Sequence, residues 1–310
     1  MREMSPERYA EKYFDRTDAF SIPCALREAE ASDYVLPRRK RVSHKYSYGR
    51  ALLIAGALGF SGAPALAANA CERSGAGLTQ LMVPESIYPI AAARCDGAVV
   101  TPLPANERGG ISADALPRIL EELKKAKACV IGPGLGTGAD TETLVKAVLR
   151  EADCPLVLDA DALTVLAGET ERLNTCRAPL LLTPHEGEFK RLGGDLAAGR
   201  LAGALRFTGQ HPNVCLILKG FGTLICRGGD VTVNPTGGPA MAKGGSGDVL
   251  CGILCALLAQ GFGPDFAAGC AVWLHGRAGD LAAAAELGEY CLAPSDLIRY
   301  LPQAFRELTA

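Results

Sequence analysis

The stretch that decides the fold spans residues 128–163 and reads ACVIGPGLGTGADTETLVKAVLREADCPLVLDADAL. Two short apolar runs, Ala128–Ile131 and Leu156–Leu158, flank the amphipathic segment Asp140–Glu151. Strands that are apolar throughout are buried on both faces, and a helical crossover between two strands makes them parallel. The stretch therefore predicts a strand–helix–strand unit of a parallel sheet that is covered on both sides.

The same alternation of apolar runs and amphipathic segments continues along the chain. Further strands are predicted at Ala51–Ala55, Leu78–Val83, Gly97–Leu103, Leu180–Thr183 and Val214–Leu218. Further helices are predicted at Pro64–Ser74, Ala113–Ala126, Glu186–Leu192 and Leu196–Gln210. Because no low-complexity linker or internal repeat interrupts the pattern, we expect a single α/β domain with a central, mostly parallel sheet and helices on both faces.

The pattern changes after Lys219. The segments Thr223–Arg227 and Val231–Asn234 are joined through two glycines and predict an antiparallel hairpin at the edge of the sheet. Three more helices are predicted near Gly247–Gln260, Asp265–Ala285 and Ser295–Leu308. We expect residues 1–43, which are largely charged and polar at their start, to form a helical or partly ordered N-terminal arm, with the domain at residues 44–310.

Composition and charge narrow the class of protein. The net charge of -2 and the pI of about 6.1 provide no basic field for nucleic acid or a membrane surface.

The uncharged stretch Ala51–Cys71 is long enough to cross a bilayer, but the glycines and proline of residues 56–64 favour a strand, a turn and a small-residue helix instead. The 12 cysteines form no Cys-x-x-Cys pair, which favours free thiols in a reducing cytoplasm over disulfides or zinc.

The strongest chemical feature is Gly244-Gly245-Ser246-Gly247-Asp248, which leads directly into the apolar run Val249–Leu258. The glycines let backbone N–H groups converge on an anion, and the following helix adds its positive N-terminal dipole. Beside bound phosphates, Asp248 could act as the base for a hydroxyl or help to place a metal. The alternative is a flexible turn with Asp248 as a helix N-cap. The spacing matches neither a Walker loop nor a dinucleotide-binding fingerprint.

Glycine-rich or polar breaks follow five of the predicted strands, at the sheet edge where open α/β proteins bind ligands. They are Gly56 with Ser61-Gly62-Ala63, Gly132–Gly136, Asp159-Ala160-Asp161, Thr183–Glu188 and Lys219-Gly220. Asp159 and Asp161 could cap a helix or hold a hydrated magnesium ion. His185 and Glu188 have the spacing of zinc ligands, but no third ligand motif is nearby. His44 and His275 are interpreted as surface or packing residues.

As an ordered set, the motifs resemble the ADP/ATP-dependent NAD(P)H-hydrate dehydratases, a family with the ribokinase-like fold. The resemblance runs from about residue 40 to the C-terminus and is specific as a set. It rests on His44-Lys45-Tyr46, Ala55-Gly56, Ser61-Gly62-Ala63, Arg73–Gly77, Gly132–Gly136, Leu158–Leu163, Thr183-Pro184-His185-x-x-Glu188, Leu218-Lys219-Gly220, Gly244–Asp248 and His275–Asp280.

The resemblance implies a carbon–oxygen lyase of metabolite repair, which removes water from hydrated NADH or NADPH with ADP or ATP as co-substrate and Mg²⁺ as cofactor. The nucleotide contacts that it implies are Lys219, Gly220, Phe221, Gly222, Thr223, Gly245, Ser246 and Gly247. The substrate contacts that it implies are Ala63, Gly136, His185 and Asp248. It also implies that Asp248 is the catalytic base and that Glu188 is a carboxylate that influences magnesium. Relatives commonly assemble as homo-oligomers, so an oligomer such as a tetramer is expected.

Two features depart from the family pattern. Many relatives carry an epimerase domain ahead of this one, and the residues before His44 are too few to form it. We therefore expect activity on the S epimer of the hydrate alone, with a separate NAD(P)H-hydrate epimerase as functional partner. In addition, Lys243 stands where many relatives have a small polar residue such as threonine, and it could add a phosphate contact.

Two other functions remain open at the level of sequence. The loop at Asp248 also fits a kinase of the same fold that phosphorylates a small alcohol, such as a vitamin precursor. A nucleotide-binding sensor without turnover is the third reading, but a pure binder needs no base beside the phosphate. The motifs Gly132–Gly136 and Thr183–Glu188 belong to the dehydratase branch and favour it. The sequence does not distinguish ADP from ATP, or NADH hydrate from NADPH hydrate.

Overall fold

The structure is a computed structural model, and it describes residues 1–15 and 24–310. Within these residues eleven strands form one sheet, in the order β1-β2-β11-β10-β9-β8-β7-β6-β3-β4-β5. The strands are β1 (Arg2–Glu3), β2 (Ala25–Glu28), β3 (Arg50–Ile54), β4 (Leu78–Pro84), β5 (Val99–Leu103), β6 (Ala128–Ile131), β7 (Leu156–Leu158), β8 (Leu180–Leu182), β9 (Val214–Leu218), β10 (Thr223–Arg227) and β11 (Asp230–Asn234). From β3 to β9 every neighbouring pair is parallel.

Helices cover both faces of the sheet. They are α1 (Pro6–Tyr13), α2 (Gly62–Arg73), α3 (Tyr88–Arg94), α4 (Leu116–Leu123), α5 (Ala139–Glu151), α6 (Asp161–Val165), α7 (Glu186–Arg191), α8 (Arg200–Gln210), α9 (Ser246–Ala259), α10 (Pro264–Ala282), α11 (Gly288–Cys291) and α12 (Pro294–Leu308). Short 3₁₀ turns lie at Ala31–Tyr34, Lys45–Tyr48, Ala113–Ala115, Thr170–Thr175 and Pro239–Met241, and a π-helical turn lies at Ala283–Leu287.

Alternate residues of each central strand point into two separate hydrophobic layers. In β3, Leu53 belongs to the layer that contains residues of α2, α9, α10 and α12, whereas Leu52 and Ile54 belong to the layer that contains residues of α4, α5 and α8. This is the period-two alternation of a strand whose two faces are both buried. The apolar runs read from the sequence therefore mark the centre of a three-layer fold.

Helix α9 packs closely on the small-residue helix α2. A Cβ atom added at Gly252 would lie 2.2 Å from the carbonyl oxygen of Ala67, so only glycine allows the two backbones to approach this closely. Almost every residue of α9 is buried. The packing fixes α9 under the sheet and directs its first turn toward the carboxyl ends of the strands.

The predicted α/β architecture is confirmed. The parallel strands and the long helices begin and end close to their predicted positions. The uncharged stretch Ala51–Cys71 forms the expected strand, turn and helix, and none of the helices in residues 1–15 and 24–310 is both long and apolar enough to cross a bilayer. Helix α8 begins later than predicted, at Arg200, because the carboxylate of Asp15 accepts hydrogen bonds from the N–H groups of Arg200 and Leu201.

The prediction that the hairpin β10–β11 forms the edge of the sheet is wrong. Residues Asp230–Val233 pair in parallel with Ala25–Glu28, and β1 lies beyond β2. Two strands thus lie in the N-terminal region, where the sequence predicted only a helical or partly ordered arm. Residues 16–23 of that arm lie outside the described residues.

Candidate functional site

The carboxyl ends of β7, β8 and β9 open onto a cavity of about 770 Å³. Its walls include both segments predicted to bind the nucleotide, Lys219–Thr223 and Gly245–Gly247, together with the predicted base Asp248. His185 and Glu188, which precede and begin the helix after β8, line it as well. Residues from four separate parts of the chain therefore meet where an open parallel sheet is expected to bind its ligand.

The glycine-rich loop brings the N-terminus of α9 to this cavity. Gly245 has a φ of 101°, a left-handed conformation that glycine adopts without strain. The hydroxyl of Ser246 donates to the carbonyl of Met241 over 2.9 Å, and Nε2–H of His275 donates to the carbonyl of Ser246 over 2.8 Å. These bonds hold the first turn of α9, with its positive dipole end directed into the cavity.

Asp248 lies in the first turn of α9, and the N-cap position belongs to Gly245. The pKa of Asp248 is raised to about 7, mainly by burial and also by the carboxylates of Asp159 and Asp161, while the Lys219 ammonium opposes the rise. Within residues 1–15 and 24–310, no hydrogen bond to the Asp248 side chain is recorded. The group is therefore free to receive a proton from a ligand near neutral pH.

Lys219 follows β9 and extends beneath the glycine-rich loop. Its Nζ donates to Oδ1 of Asp159 over 2.9 Å and lies 3.8 Å from Oε2 of Glu188. Burial alone would lower the pKa of Lys219, but these two carboxylates raise it. A Cβ atom at Gly247 would lie 3.3 Å from Nζ, so the charge is close to the backbone of the loop.

Asp159 is the buried partner that holds this ammonium. It is 2% exposed, and its Oδ1 also accepts a hydrogen bond of 2.7 Å from the Thr183 hydroxyl. Burial alone would raise its pKa, but the charge of Lys219 and the two hydrogen bonds hold it below the usual range. Asp159 therefore acts as a fixed anion beside Asp248 and as the anchor of Lys219.

His185 and Glu188 cap α7 reciprocally. Nδ1 of His185 accepts from the N–H groups of Gly187 and Glu188, and Oε2 of Glu188 accepts from the N–H of His185 over 2.8 Å. This capping box accounts for the three-residue spacing that suggested zinc. The described part of the chain contains no group of three or more His, Cys, Asp or Glu side chains placed to hold a metal ion. The assignment of Glu188 to magnesium stays a prediction.

The two remaining predicted substrate residues, Ala63 and Gly136, lie beyond the residues that line this cavity, at the ends of β3 and β6. Ala63 is the second residue of α2, and a Cβ atom at Gly134 would lie 3.2 Å from the Cβ of Ala63. The N–H of Gly136 donates to Oδ2 of Asp161 over 2.8 Å. Asp161 therefore connects the loop at Gly136 to Asp248, because its charge also helps to raise the pKa of Asp248.

The segment 234–239, to which no role was assigned from sequence, forms another wall of the cavity. The Thr236 hydroxyl donates to Oδ1 of Asn234 over 3.1 Å, and the N–H of Gly237 donates to both carboxylate oxygens of Asp280. The cluster of turn-forming residues after β11 was the available signal. His275 is half-buried beside this wall, and burial lowers its pKa to about 4, so it braces the loop as a neutral ring.

Comparison with known proteins identifies the family. The pattern that describes NAD(P)H-hydrate dehydratases matches residues 51–303. This chain belongs to the NAD(P)H-hydrate dehydratase family. It is 42% identical over 278 residues to the bifunctional NAD(P)H-hydrate repair enzyme of Moorella thermoacetica, an alignment that covers 88% of this chain and 52% of that protein. The chain thus spans about half the length of the curated relatives that it matches.

Two solved structures have the same fold as this chain. The ADP/ATP-dependent NAD(P)H-hydrate dehydratase of Bacillus subtilis, crystallised with ATP and Mg²⁺, superimposes with a TM-score of 0.78 and 31% identity over 94% of this chain and 100% of that one. A ribokinase-like protein of Enterococcus faecalis gives a TM-score of 0.79 and 29% identity, over 92% of this chain and 96% of that one. The predicted family and the predicted ribokinase-like fold are confirmed.

Proposed function

We propose that this dehydratase uses ADP or ATP to dehydrate the S epimer of hydrated NADH or NADPH, releasing phosphate with AMP or ADP. The proposal rests chiefly on Asp248, a carboxyl with a pKa of about 7 in a cavity lined by both predicted nucleotide segments. Membership of the dehydratase family supports it. So does the likeness to a Bacillus subtilis enzyme crystallised with ATP and Mg²⁺.

We assign the nucleotide's phosphates to the N-terminus of α9 and its adenosine to the loop after β9. Amide groups at a helix N-terminus and a nearby ammonium both favour bound anions. Gly245, Ser246, Gly247 and Lys219 lie together on the phosphate side. The adenosine contacts would come from Gly220, Phe221, Gly222 and Thr223.

Asp248 would act as the base that starts the reaction. It accepts the proton of the hydrate's hydroxyl while that oxygen attacks the terminal phosphorus, and the bond from phosphorus to the remaining nucleotide breaks. Phosphate then departs with the electron pair of its bond to carbon, assisted by the lone pair of the ring nitrogen. Loss of a proton from the neighbouring carbon restores the dihydropyridine. Ala63, Gly136 and His185 would contact the substrate.

Magnesium fits this site as a companion of the nucleotide. Mg²⁺ in nucleotide sites uses one or two carboxylates together with phosphates and water. Glu188 borders the cavity and is 8% exposed, with Oε2 bonded to the N–H of His185 and Oε1 3.5 Å from Nε2 of the same residue. One carboxylate of this kind suits an ion held mainly by phosphates, where the ion would neutralise phosphate charge.

The test is the absorbance of reduced nicotinamide in a mixture of the protein, chemically hydrated NADH or NADPH, Mg²⁺, and ADP or ATP. We expect absorbance to rise only with a nucleotide, and the better nucleotide and hydrate identify the preferred substrates. Asp248→Asn should abolish the rise and still bind nucleotide. Folded protein that gives no rise with either nucleotide would instead direct attention to the small-alcohol kinase.

We also propose that the protein acts on one epimer and depends on a separate NAD(P)H-hydrate epimerase. The bifunctional names of the curated relatives support a link between two activities. With an equal mixture of epimers, conversion should stop near half and resume when an epimerase is added.

A homo-oligomer and a cytoplasmic location remain predictions, testable by light scattering and by cell fractionation.

A further inference from the structure

Arg200, the first residue of α8, holds the loop after β9 through hydrogen bonds to backbone carbonyls. Its guanidinium donates to the carbonyl oxygens of Leu218, Phe221 and Gly222 over 3.1, 2.6 and 3.4 Å. The side chain is 11% exposed and does not line the cavity. One rigid guanidinium therefore fixes the direction of the carbonyl at the end of β9 and of two successive carbonyls in the loop.

The hydrogen bond from Arg200 to the carbonyl of Phe221 also sets the direction of the next N–H group in the loop, that of Gly222. In a trans peptide unit the C=O and the following N–H point in opposite directions. Because the carbonyl of Phe221 faces Arg200, the N–H of Gly222 faces away from Arg200, and Gly222 itself lines the cavity. No acceptor for this N–H is recorded in residues 1–15 and 24–310, so it is available to a ligand.

The N-terminal segment packs against the same loop. The ring of Tyr13 lies behind Gly222, where an added Cβ atom would meet it at 2.3 Å. The Tyr13 ring centroid is 5.3 Å from that of Phe221. The Tyr13 hydroxyl donates to Glu28 of β2 over 2.7 Å, which ties the ring to the sheet. Phe221 itself is 61% exposed and presents an aromatic surface at the cavity wall.

Asp15 completes the arrangement by fixing the start of α8. Its carboxylate accepts from the N–H of Arg200 over 2.9 Å and from the N–H of Leu201 over 3.1 Å. A carboxylate at a helix N-terminus stabilises that end of the helix. The side chain of Arg200 therefore leaves the helix from a position set by the N-terminal segment.

We propose that Tyr13, Asp15 and Arg200 are positioning residues of the nucleotide site, which hold Phe221 and Gly222 in the orientation that receives the adenosine. The inference rests on the proposed nucleotide function. It makes the first residues of the chain part of the site, although none of them touches the ligand. An aromatic surface and a free amide suit the flat base of a nucleotide, whose ring nitrogens accept hydrogen bonds.

The experiment measures the affinity of the full chain for Mg-ATP and for inorganic tripolyphosphate by calorimetry, with kcat and KM for ATP measured in parallel. Arg200→Ala should raise the Kd and KM for ATP by ~10-fold or more, the effect expected when charged hydrogen bonds are lost. The affinity for tripolyphosphate and kcat should change little, because the phosphate side is untouched. A global loss of structure would weaken both ligands equally, which separates positioning from folding.

The chain provides matched controls. Arg206→Ala, on the same helix and paired with Asp195 at the surface, should bind ATP like the wild type. Tyr13→Phe keeps the ring behind Gly222 and loses only the bond to Glu28, so it should weaken ATP less than Tyr13→Ala, and neither variant should weaken tripolyphosphate. This pair tests the inference even if Arg200→Ala does not fold.

Two outcomes separate this inference from the proposed function. If folded Arg200→Ala and Tyr13→Ala bind ATP as tightly as the wild type, the positioning role is overturned and the proposed function stands. If the wild type binds neither ADP nor ATP, the proposed nucleotide function fails, and the inference fails with it.

Discussion

Asp248 lies where its proton is held more tightly than in water. Burial is the largest cause, and the negative charges of Asp159 and Asp161 add repulsion that Lys219 offsets only in part. With a pKa of about 7, the carboxyl is divided between its acid and base forms near neutral pH. General bases work best in that range, so three neighbouring charges tune the residue for its proposed task.

We expect kcat/KM to fall on the acid side of about pH 7, as Asp248 takes up a proton. Asp161→Asn removes one repelling charge, while its amide oxygen can still accept the N–H of Gly136. The acid limb of the pH profile should therefore move to lower pH. Asp195→Asn, at an exposed ion pair, is the control and should leave the limb in place. An unmoved limb in Asp161→Asn would show that this charge does not act on Asp248.

The raised pKa of Asp248 also affects stability. The folded pKa of about 7 lies above the ordinary value of 3.8, so the folded state binds the proton more tightly. The contribution to stability is complete below the ordinary value and is lost as the pH rises through the folded pKa. Urea unfolding at pH 8 should therefore find Asp248→Asn more stable than the wild type, by on the order of 1 kcal/mol. A larger advantage at pH 5 than at pH 8 would contradict this sign.

At the scale of elements, α9 connects the packing of the core to the chemistry of the site. Its first turn carries Asp248, and its middle lies against α2 at Gly252. A shift of α9 away from α2 would move the Asp248 carboxyl and the glycine-rich loop together. The close approach at Gly252 is therefore a structural condition of the site.

Gly252→Ala should push α2 and α9 apart, because the new methyl group would lie 2.2 Å from a backbone oxygen that cannot move alone. We expect a loss of roughly 1–3 kcal/mol in the free energy of unfolding, measured in urea. Gly209→Ala in α8 is the matched control, since its methyl group would meet nothing within 4 Å. That variant should gain roughly 0.5–1 kcal/mol from helix propensity. Equal effects would refute the packing account.

Elements could be predicted where local pattern decides the structure. The parallel strands are short apolar runs, and α9 is an apolar run after a glycine-rich loop. The strand β2 could not be predicted, because only Leu26 of its four residues is buried and no alternation is visible. The start of α8 could not be predicted either, because the capping residue Asp15 lies 185 positions earlier in the chain.

At the scale of the whole molecule, the functional site too could be predicted only where a local sequence pattern determines the structure. The loops Lys219–Thr223 and Gly244–Asp248 are glycine-rich and lie at the ends of a strand and a helix. The sequence therefore indicated both as ligand-binding loops. Arg200 acts through the carbonyls of residues 18 to 22 positions further along the chain, so no local spacing shows its role. The sequence therefore predicts which segments face the ligand better than it predicts what holds those segments in place.

Nucleotide binding should stabilise the whole chain in one transition, because the site draws on residues from the N-terminus to α9. A ligand present at 100 times its Kd adds about 2.7 kcal/mol to the free energy of unfolding. Thermal unfolding with and without Mg-ATP measures the gain as a rise in Tm. The gain should be smaller in Lys219→Ala at the same ATP concentration. An equal rise in that variant would place the ATP elsewhere.

Both edges of the sheet are poor templates for another strand. On one side β1 is only two residues long, and both Arg2 and Glu3 are exposed. On the other side β5 contains the exposed Pro102, which has no N–H to offer. Short, charged or proline-bearing edges are how natural sheets resist edge-to-edge aggregation. If copies of this chain assemble, they should therefore meet through their helical faces, and the sheet should not continue from one subunit into the next.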